Sequence, residues 1–135
     1  MDLPEQLGFA TRYFDLPNLR MHAAVAGSPG GDLVILLHGF PQFWYSWRHQ
    51  MKALADAGYY VVAPDQRGYN LTDKTPPYDG FTLSDDIVNL IKACGCEQCY
   101  LVGHDWGAAV AWNVARLHPE RVKKLADQKK EIYEE

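Results

Sequence analysis

The stretch VGHDWGAAVAW, residues 102–112, places an aspartate between two glycines, at the junction of two different patterns. Before it, CYLVG (99–103) is continuously apolar, as is typical of a parallel strand covered on both faces. After it, the sequence from about Trp106 to Leu117 is apolar nearly all round, which predicts a central, buried helix. We therefore expect a strand, a sharp turn and a helix, with Asp105 in the turn.

The pattern G-x-D-x-G allows two interpretations of Asp105. Gly103 and Gly107 lack a Cβ and let the chain turn sharply, as the junction around an enzymatic nucleophile requires. The helix N-terminus that follows favours a negative charge, because its N–H groups are free and its dipole is positive there. Aspartate is, however, also a common N-cap residue. The pattern alone does not choose between an attacking carboxylate and a helix cap.

Four more strands are predicted on the N-terminal side of this junction. The runs LVILL (33–37) and YYVVA (59–63) are continuously apolar, like CYLVG, and predict buried parallel strands. The runs FATRYF (9–14) and LRMHAAVA (19–26) alternate in character and flank the turn-rich DLPN, so they predict an antiparallel hairpin at a sheet edge.

Helices are predicted between these strands. One follows the N-cap candidate Ser46 and closes at Gly58, and another opens at a capping box formed by Thr82 and Asp85. The stretch 64–81 is rich in Pro, Gly, Asp and Tyr and is expected to be a surface loop. Alternating strands and helices indicate an α/β fold with a doubly wound, mostly parallel sheet and an antiparallel N-terminal hairpin.

The composition fits one globular domain over residues 1–135. The formal net charge is −4 and 47% of the residues are hydrophobic, so the chain can bury a core of its own. The mild acidity argues against nucleic acid, which is bound by clustered Lys and Arg. The longest apolar runs are far shorter than the ~20 residues of a membrane span, so we expect no membrane association. No cofactor is indicated.

The N-terminus and the cysteines favour the cytoplasm. MDLPEQLGFA has neither a basic start nor an apolar core, so it does not resemble a secretion signal. Cys94, Cys96 and Cys99 are odd in number and fit free thiols in a reducing compartment. A metal site is the weaker interpretation of their spacing, because no fourth ligand is evident. We therefore expect no bound metal.

Three stretches carry a family resemblance: HGFPQFWYSWRHQ (38–50), APDQRGYNLTD (63–73) and LVGHDWGAAVAW (101–112). Their order and spacing resemble the epoxide-hydrolase branch of the α/β-hydrolase fold, from about Leu7 to Leu125. Haloalkane dehalogenases typically have Gln before the nucleophile, where this chain has histidine. Fluoroacetate dehalogenases have Arg where this chain has Trp106. Both comparisons favour an epoxide as the small-molecule substrate.

The resemblance implies roles for individual residues. Asp105 is the expected nucleophile, and the backbone N–H groups of Phe40 and Trp106 are the expected oxyanion hole. Phe43 and Trp44 are candidates for the substrate pocket, although aromatic residues at such spacing also pack in cores. The remaining motif positions are expected to support the site: His38, Gly39, Pro41, Gly103, His104 and Gly107.

The chemistry explains a carboxylate in place of serine. A serine that opened an epoxide would form an ether, which water does not readily cleave, whereas Asp105 forms an ester. Water can attack the carbonyl carbon of that ester while the oxyanion hole stabilises the tetrahedral charge, and a diol is released.

The resemblance also implies parts that this chain does not supply. The family uses a histidine general base, an orienting acid and two cap-domain tyrosines, all downstream of the nucleophile, and His22, His49 and His118 do not occupy the base position. We expect a partial α/β-hydrolase core without a cap domain and without efficient turnover. Two alternatives remain open: a non-catalytic scaffold or interaction module, and a haloalkane-dehalogenase-like half-domain with Trp106 at the leaving group.

The end of the chain departs from the family. Residues 126–135 are hydrophilic and atypical, which favours a truncated or engineered fragment, and an amphipathic pattern predicts that the tail is helical. That pattern comprises Val122, Leu125, Ala126, Ile132 and Tyr133. In the family's strand order, 1-2-4-3-5-6, loss of the sixth strand exposes the edge of strand 99–103. We therefore expect a homodimer or larger homo-oligomer through that edge, unless the tail covers it.

Overall fold

The apolar runs of the sequence form one sheet in a computed structural model, which describes residues 8–17, 19–38, 47–67, 72, 74 and 78–127. Within that part of the chain the sheet has six strands, accompanied by three α-helices and a short 3-10 turn. The strands are β1 Ala10–Leu16, β2 Leu19–Ala26, β3 Leu33–Leu37, β4 Tyr60–Pro64, β5 Cys99–Gly103 and β6 Val122–Asp127. The helices are α1 Arg48–Asp56, α2 Gly80–Ala93 and α3 Trp106–Leu117, and the 3-10 turn is Pro119–Arg121.

The strands lie in the order β1-β2-β4-β3-β5-β6. β1 pairs with β2, and β2 with β4, in antiparallel fashion, whereas β3, β4, β5 and β6 are mutually parallel. The predicted fold class is confirmed: a mostly parallel α/β sheet with an antiparallel N-terminal hairpin. Because parallel strands end at the same side of a sheet, the segments after β3, β4 and β5 meet at one rim.

The core lies on both faces of the sheet, and β3 shows why its sequence is apolar without alternation. Leu33, Ile35 and Leu37 pack into a cluster with residues of α2 and α3. Val34 and Leu36 point to the opposite face and pack with residues of α1. Side chains alternate between faces along a strand, so a strand covered on both sides must be apolar at every position.

α1 ends where the sequence predicted. The N–H of Gly58 donates to the carbonyl of Ala55, and Gly58 has φ +102°, a left-handed value that glycine adopts without steric cost. At the other end, Trp47 holds the N-cap position without a side-chain capping bond. The predicted cap, Ser46, lies outside the described residues.

α2 begins before the predicted capping box. Its N-cap is Asp79, whose Oδ1 accepts a hydrogen bond from the Thr82 N–H at 2.8 Å. That bond from the backbone of Thr82 is the main reason why the pKa of Asp79 is lowered. The prediction of Thr82 as the cap was wrong because Asp79, three residues earlier, already accepts the N–H of Thr82 and starts the helix before it. The predicted loop therefore ends at residue 79 rather than 81.

α3 has the predicted bounds but not the predicted burial. Gly107, Val110, Ala111 and Val114 lie on a buried face against the sheet and α2. Trp112, however, is 57% exposed, so the helix is not covered all round. The prediction counted apolar residues, whereas the sheet can cover only one side of the helix.

The predicted helical tail is wrong over residues 122–127, which form β6. β6 extends the sheet in parallel with β5, from the pair Cys99–Val122 to the pair Gly103–Asp127. Val122 and Leu125 are partly buried against the core, and the free backbone groups of β5 supply hydrogen bonds that a helix would not use. Residues 128–135 of the atypical tail lie outside the described residues.

The predicted exposed edge at strand 99–103 is wrong for the same reason. β5 lies between β3 and β6 and has neighbours on both sides. The predicted self-association through that edge is therefore overturned. Among the described helices, none has the length and apolar character needed to cross a bilayer.

Candidate active site

Asp105 lies in the two-residue turn between β5 and α3, at the rim where the parallel strands end. Its backbone has φ 57° and ψ −124°, and it is the only non-glycine residue with positive φ in the described part of the chain. A residue with a Cβ avoids this region because of steric strain, and such strain is concentrated at functional sites. The turn therefore has the strained geometry of the strand-to-helix junction at which hydrolases present a nucleophile.

The side chain of Asp105 is exposed and is not a helix cap. Asp105 occupies the N-cap position of α3, but its carboxylate makes no capping hydrogen bond. The carboxylate thus stands at the N-terminus of a 12-residue helix, which is the positive end of the helix dipole. Of the two interpretations of the G-x-D-x-G pattern, helix capping is not what this geometry provides.

The two glycines of the pattern permit close backbone contacts. A Cβ on Gly103 would lie 2.6 Å from the Cα of Ala108, and a Cβ on Gly107 would lie 2.3 Å from the carbonyl oxygen of Leu37. Both distances are too short for any side chain. Gly103 thus lets α3 fold back onto β5, and Gly107 lets α3 pack onto the end of β3.

The end of β3 is joined directly to the turn. The N–H of His104 donates to the carbonyl of Leu37 at 3.0 Å, one step beyond the strand pair Leu37–Gly103. The chain that leaves β3 therefore starts beside Asp105. The predicted oxyanion donor Phe40 follows two residues after His38, but it lies outside the described residues, as do Gly39, Pro41, Phe43 and Trp44.

The other predicted oxyanion donor, Trp106, is the first residue of α3. The first amides of a helix have no intrahelical acceptor. The next two N–H groups, of Gly107 and Ala108, donate at 2.9 Å to the carbonyls of His104 and Asp105. Within the described part of the chain the N–H of Trp106 has no backbone acceptor, and Trp106 is 45% exposed. The ring of His104 meets Trp47 edge-on, at 6.5 Å between centroids.

A buried polar cluster adjoins the site, and the sequence predicted only part of it. The Oδ2 of Asp65 lies 2.8 Å from the Nδ1 of His22, and its Oδ1 lies 3.5 Å from the Nε2 of His38. Thr72 donates its hydroxyl to the Asp65 carbonyl and accepts the His22 N–H. His22 was expected on a strand at the edge of the sheet, but β2 pairs with both β1 and β4. The cluster joins strand β2 to the segments that follow β3 and β4, and local patterns do not show that these three parts of the chain meet.

Arg67 continues the same loop and ties it to α2. Its Nε and one terminal nitrogen each donate to Asp86 at 2.8 Å, and both side chains are almost fully buried. Two parallel bonds of this kind fix the guanidinium and the carboxylate in one plane. Arg67 belongs to the stretch APDQRGYNLTD (63–73), but Asp86 was not predicted as its partner.

His118 lies at the far end of α3. It pairs with Asp85 at 3.4 Å and with Glu120 at 3.8 Å. A helix of 12 residues is about 18 Å long, so this imidazole is remote from Asp105. His49 is exposed on α1. Neither position is suited to activate water at the turn.

The opposite ends of the strands carry the cysteines and a cavity. Cys94, Cys96 and Cys99 are free, and burial raises the pKa of Cys94 and of Cys99 to about 12, so both stay thiols at neutral pH. A cavity of about 420 Å³ next to them is lined by residues that include Asp32, Cys96 and Lys123. Among the described residues, no His, Cys, Asp and Glu side chains form a group that could hold a metal ion.

Comparison with known proteins agrees with this architecture. A family model described as the alpha/beta hydrolase fold matches residues 32–126. The AB hydrolase superfamily protein YfhM of Bacillus subtilis (strain 168) is 49% identical over 121 residues, which make up 87% of this chain and 42% of that protein. Epoxide hydrolase A of Mycobacterium tuberculosis (strain ATCC 25618 / H37Rv) is 49% identical over 118 residues, 85% of this chain and 37% of that protein.

A solved structure also agrees with this architecture. An epoxide hydrolase from Vigna radiata superposes with a TM-score of 0.84 at 42% identity, over 89% of this chain and 39% of that one. The chain therefore spans between 37% and 42% of the length of these three relatives.

Proposed function

Because the chain belongs to the α/β-hydrolase fold family and is similar to epoxide hydrolases over most of its length, we propose that Asp105 is a nucleophile that opens epoxides. A carboxylate oxygen of Asp105 attacks one ring carbon of the epoxide, and the bond from that carbon to the ring oxygen breaks. The ring oxygen takes up a proton, and the product is a hydroxyalkyl ester of Asp105. An aspartate is ionised at neutral pH, so this step needs no general base.

The second half-reaction hydrolyses the ester. Water attacks the carbonyl carbon, the tetrahedral oxyanion accepts hydrogen bonds from the N–H groups of Phe40 and Trp106, and the diol leaves as Asp105 is regenerated. In this proposal neither His49 nor His118 acts as the general base, because His49 lies on α1 and His118 at the far end of α3. The chain by itself is then expected to form the ester faster than it hydrolyses it.

One observation carries the proposal: an exposed carboxylate, without a capping bond, is held in a strained turn at a helix N-terminus. A merely structural aspartate at this position would be expected to bond the first amides of α3. The N–H of Trp106, which has no backbone acceptor among the described residues, would add a donor where negative charge develops.

The test uses styrene oxide and the purified chain. Intact-mass spectrometry is expected to detect one adduct per protein molecule, with little or no diol, and Asp105→Ala is expected to abolish the adduct. Diol release above background that depends on Asp105 would instead show a complete enzyme. Absence of both adduct and diol would contradict the proposal and favour a non-catalytic scaffold or interaction module.

A second substrate class is favoured by Trp106. Trp106, the residue after Asp105, is 45% exposed, and an indole N–H can donate to a departing halide. The same carboxylate would then displace halide from a haloalkane and form the same kind of ester. Parallel incubation with 1-bromobutane separates the two classes, because the epoxide proposal predicts faster adduct formation with styrene oxide.

The three free cysteines support a further proposal, that the protein works in a reducing compartment such as the cytoplasm. Buried thiols of raised pKa, such as those of Cys94 and Cys99, are stable there without a partner.

A further inference from the structure

The residues that follow β4 reach across the rim of the sheet to the end of β3. Asp65 and Gln66 come directly after this strand, and both are essentially inaccessible to solvent. Burying a carboxylate and an amide costs free energy unless their polar atoms are bonded. The contacts that these two side chains make are therefore expected to be specific.

The side chains of Asp65 and Gln66 both contact the same residue, His38. The Nε2 of Gln66 donates to the carbonyl of His38 at 3.3 Å, and the carboxylate of Asp65 lies 3.5 Å from the imidazole. Asp65 is fixed in turn by His22, through its carboxylate at 2.8 Å and through its own N–H, which donates to the His22 carbonyl at 2.8 Å. His38 is thus bonded at its main chain by Gln66, and its imidazole lies next to the carboxylate of Asp65.

The backbone of Leu37 and His38 packs against the turn that carries Asp105 and against the start of α3. A Cβ on Gly107 would lie 2.3 Å from the carbonyl oxygen of Leu37 and 2.8 Å from that of His38. The Leu37 carbonyl also accepts the N–H of His104. The Leu37 carbonyl therefore accepts a hydrogen bond from the turn. The His38 carbonyl accepts a hydrogen bond from Gln66 and lies close to Gly107 at the start of α3.

We propose that Asp65 and Gln66 are positioning residues of the reaction, which fix residues 37–38 and thereby hold the turn that carries Asp105 in register with the chain leaving β3. The effect on the reaction rests on the proposed function of Asp105. The effect on the turn itself does not, because it follows from the contacts of Leu37 and His38. The two effects are therefore measured separately.

Gln66 offers a sharp test with a matched control. Gln66→Met keeps the length of the side chain and removes the donor, whereas Gln66→Glu keeps the shape and makes the donor depend on protonation. Gln98 supplies the control because its Nε2 also donates to a backbone carbonyl, that of Glu120 at 3.0 Å, but at the opposite ends of the strands. Gln98→Met and Gln98→Glu should leave the turn and the alkylation of Asp105 unchanged.

Hydrogen exchange measures the turn without any substrate. Gln66→Met removes the hydrogen bond to the His38 carbonyl, and this loss is expected to speed exchange of the His104 amide about fivefold. Gln98→Met should leave that exchange rate unchanged. Urea denaturation checks that each variant is folded under these conditions. If Gln66→Met does not fold, Gln66→Glu at neutral pH takes its place in the same measurement. If the His104 amide exchanges at the same rate in the folded Gln66 variant as in the parent chain, the inference is overturned, whether or not Asp105 reacts.

Alkylation by styrene oxide then measures the reaction. The rate at saturating epoxide is expected to fall about tenfold in Gln66→Met, because small displacements of a reacting group are costly. The half-saturating concentration should change little, because neither residue is proposed to touch the epoxide. If the parent chain is not alkylated at all, the proposed function fails, and the exchange result alone decides the inference.

The pH profile distinguishes a positioning bond from general packing. The ratio of the Gln66→Glu rate to the parent rate is expected to rise as the pH falls, because the introduced carboxyl then regains a proton to donate to His38. Taking the ratio cancels the protonation of Asp105 itself. The same ratio for Gln98→Glu should be flat, and a flat ratio for Gln66→Glu would contradict a role for the donor.

Discussion

Asp105 holds a backbone conformation, φ 57° and ψ −124°, that costs a residue with a Cβ about 1–3 kcal/mol. The sequence predicted the turn at this residue but not where its strain lies. The flanking glycines suggested that they would absorb the unusual dihedral angles. Neither Gly103 nor Gly107 has a positive φ, and both are needed for close approach of the backbone. A local pattern identifies small residues, but it does not tell which atoms of the fold will approach them.

The strain at Asp105 can be measured by comparing two variants that both lack the carboxylate. Asp105→Gly relieves the strain, whereas Asp105→Ala keeps the Cβ that causes it. The relief is partly offset by the greater freedom of glycine in the unfolded chain, so Asp105→Gly should be more stable than Asp105→Ala by about 1 kcal/mol. Urea denaturation gives this difference in the free energy of unfolding. If no strain is stored at this turn, Asp105→Gly should instead be less stable than Asp105→Ala by the entropic cost of glycine, about 0.5–1 kcal/mol.

At the scale of elements, five strands were predicted within two residues of their observed bounds, because their apolar runs reflect burial on both faces or alternation on one. The strand β6 was missed. The residues VKKLAD suit an amphipathic helix when read alone, and only the unpaired edge of β5 makes a strand the better partner. The N-cap of α2 was misplaced by three residues because both Asp79 and Thr82 are residue types that cap helices. Both errors come from contacts that a local pattern does not contain.

The ion pair between Arg67 and Asp86 is expected to be the main polar link between α2 and the rim of the sheet. Asp86→Ala leaves the buried guanidinium without this carboxylate and should cost about 3 kcal/mol in free energy of unfolding. The matched control is Lys52→Ala, which removes an exposed pair with Asp56 and should cost about 0.5 kcal/mol or less. Urea denaturation of both variants checks the contrast. A cost for Asp86→Ala as small as that for Lys52→Ala would contradict a stabilising role of the buried pair.

At the scale of the whole molecule, the strand order brings three distant segments to one rim. The ends of β3, β4 and β5 are adjacent because the strands are parallel, and the turn of Asp105 and the anchor of His38 are built from those ends. The resemblance of three motifs anticipated this order, and the pairing of the strands confirms it. The histidine–aspartate cluster depends on loops of no regular pattern. The oxyanion role of Phe40, which lies outside the described residues, stays a prediction.

The position of the ester tests the central claim most directly. After the folded chain has reacted with styrene oxide, digestion and tandem mass spectrometry locate the modified residue, and a second sample is treated in the same way in concentrated urea. We expect a single ester on Asp105 in the folded sample and none in urea, because the fold creates the reactive carboxylate. Modification of another side chain in its place, or equal labelling of Asp105 in both samples, would contradict the account.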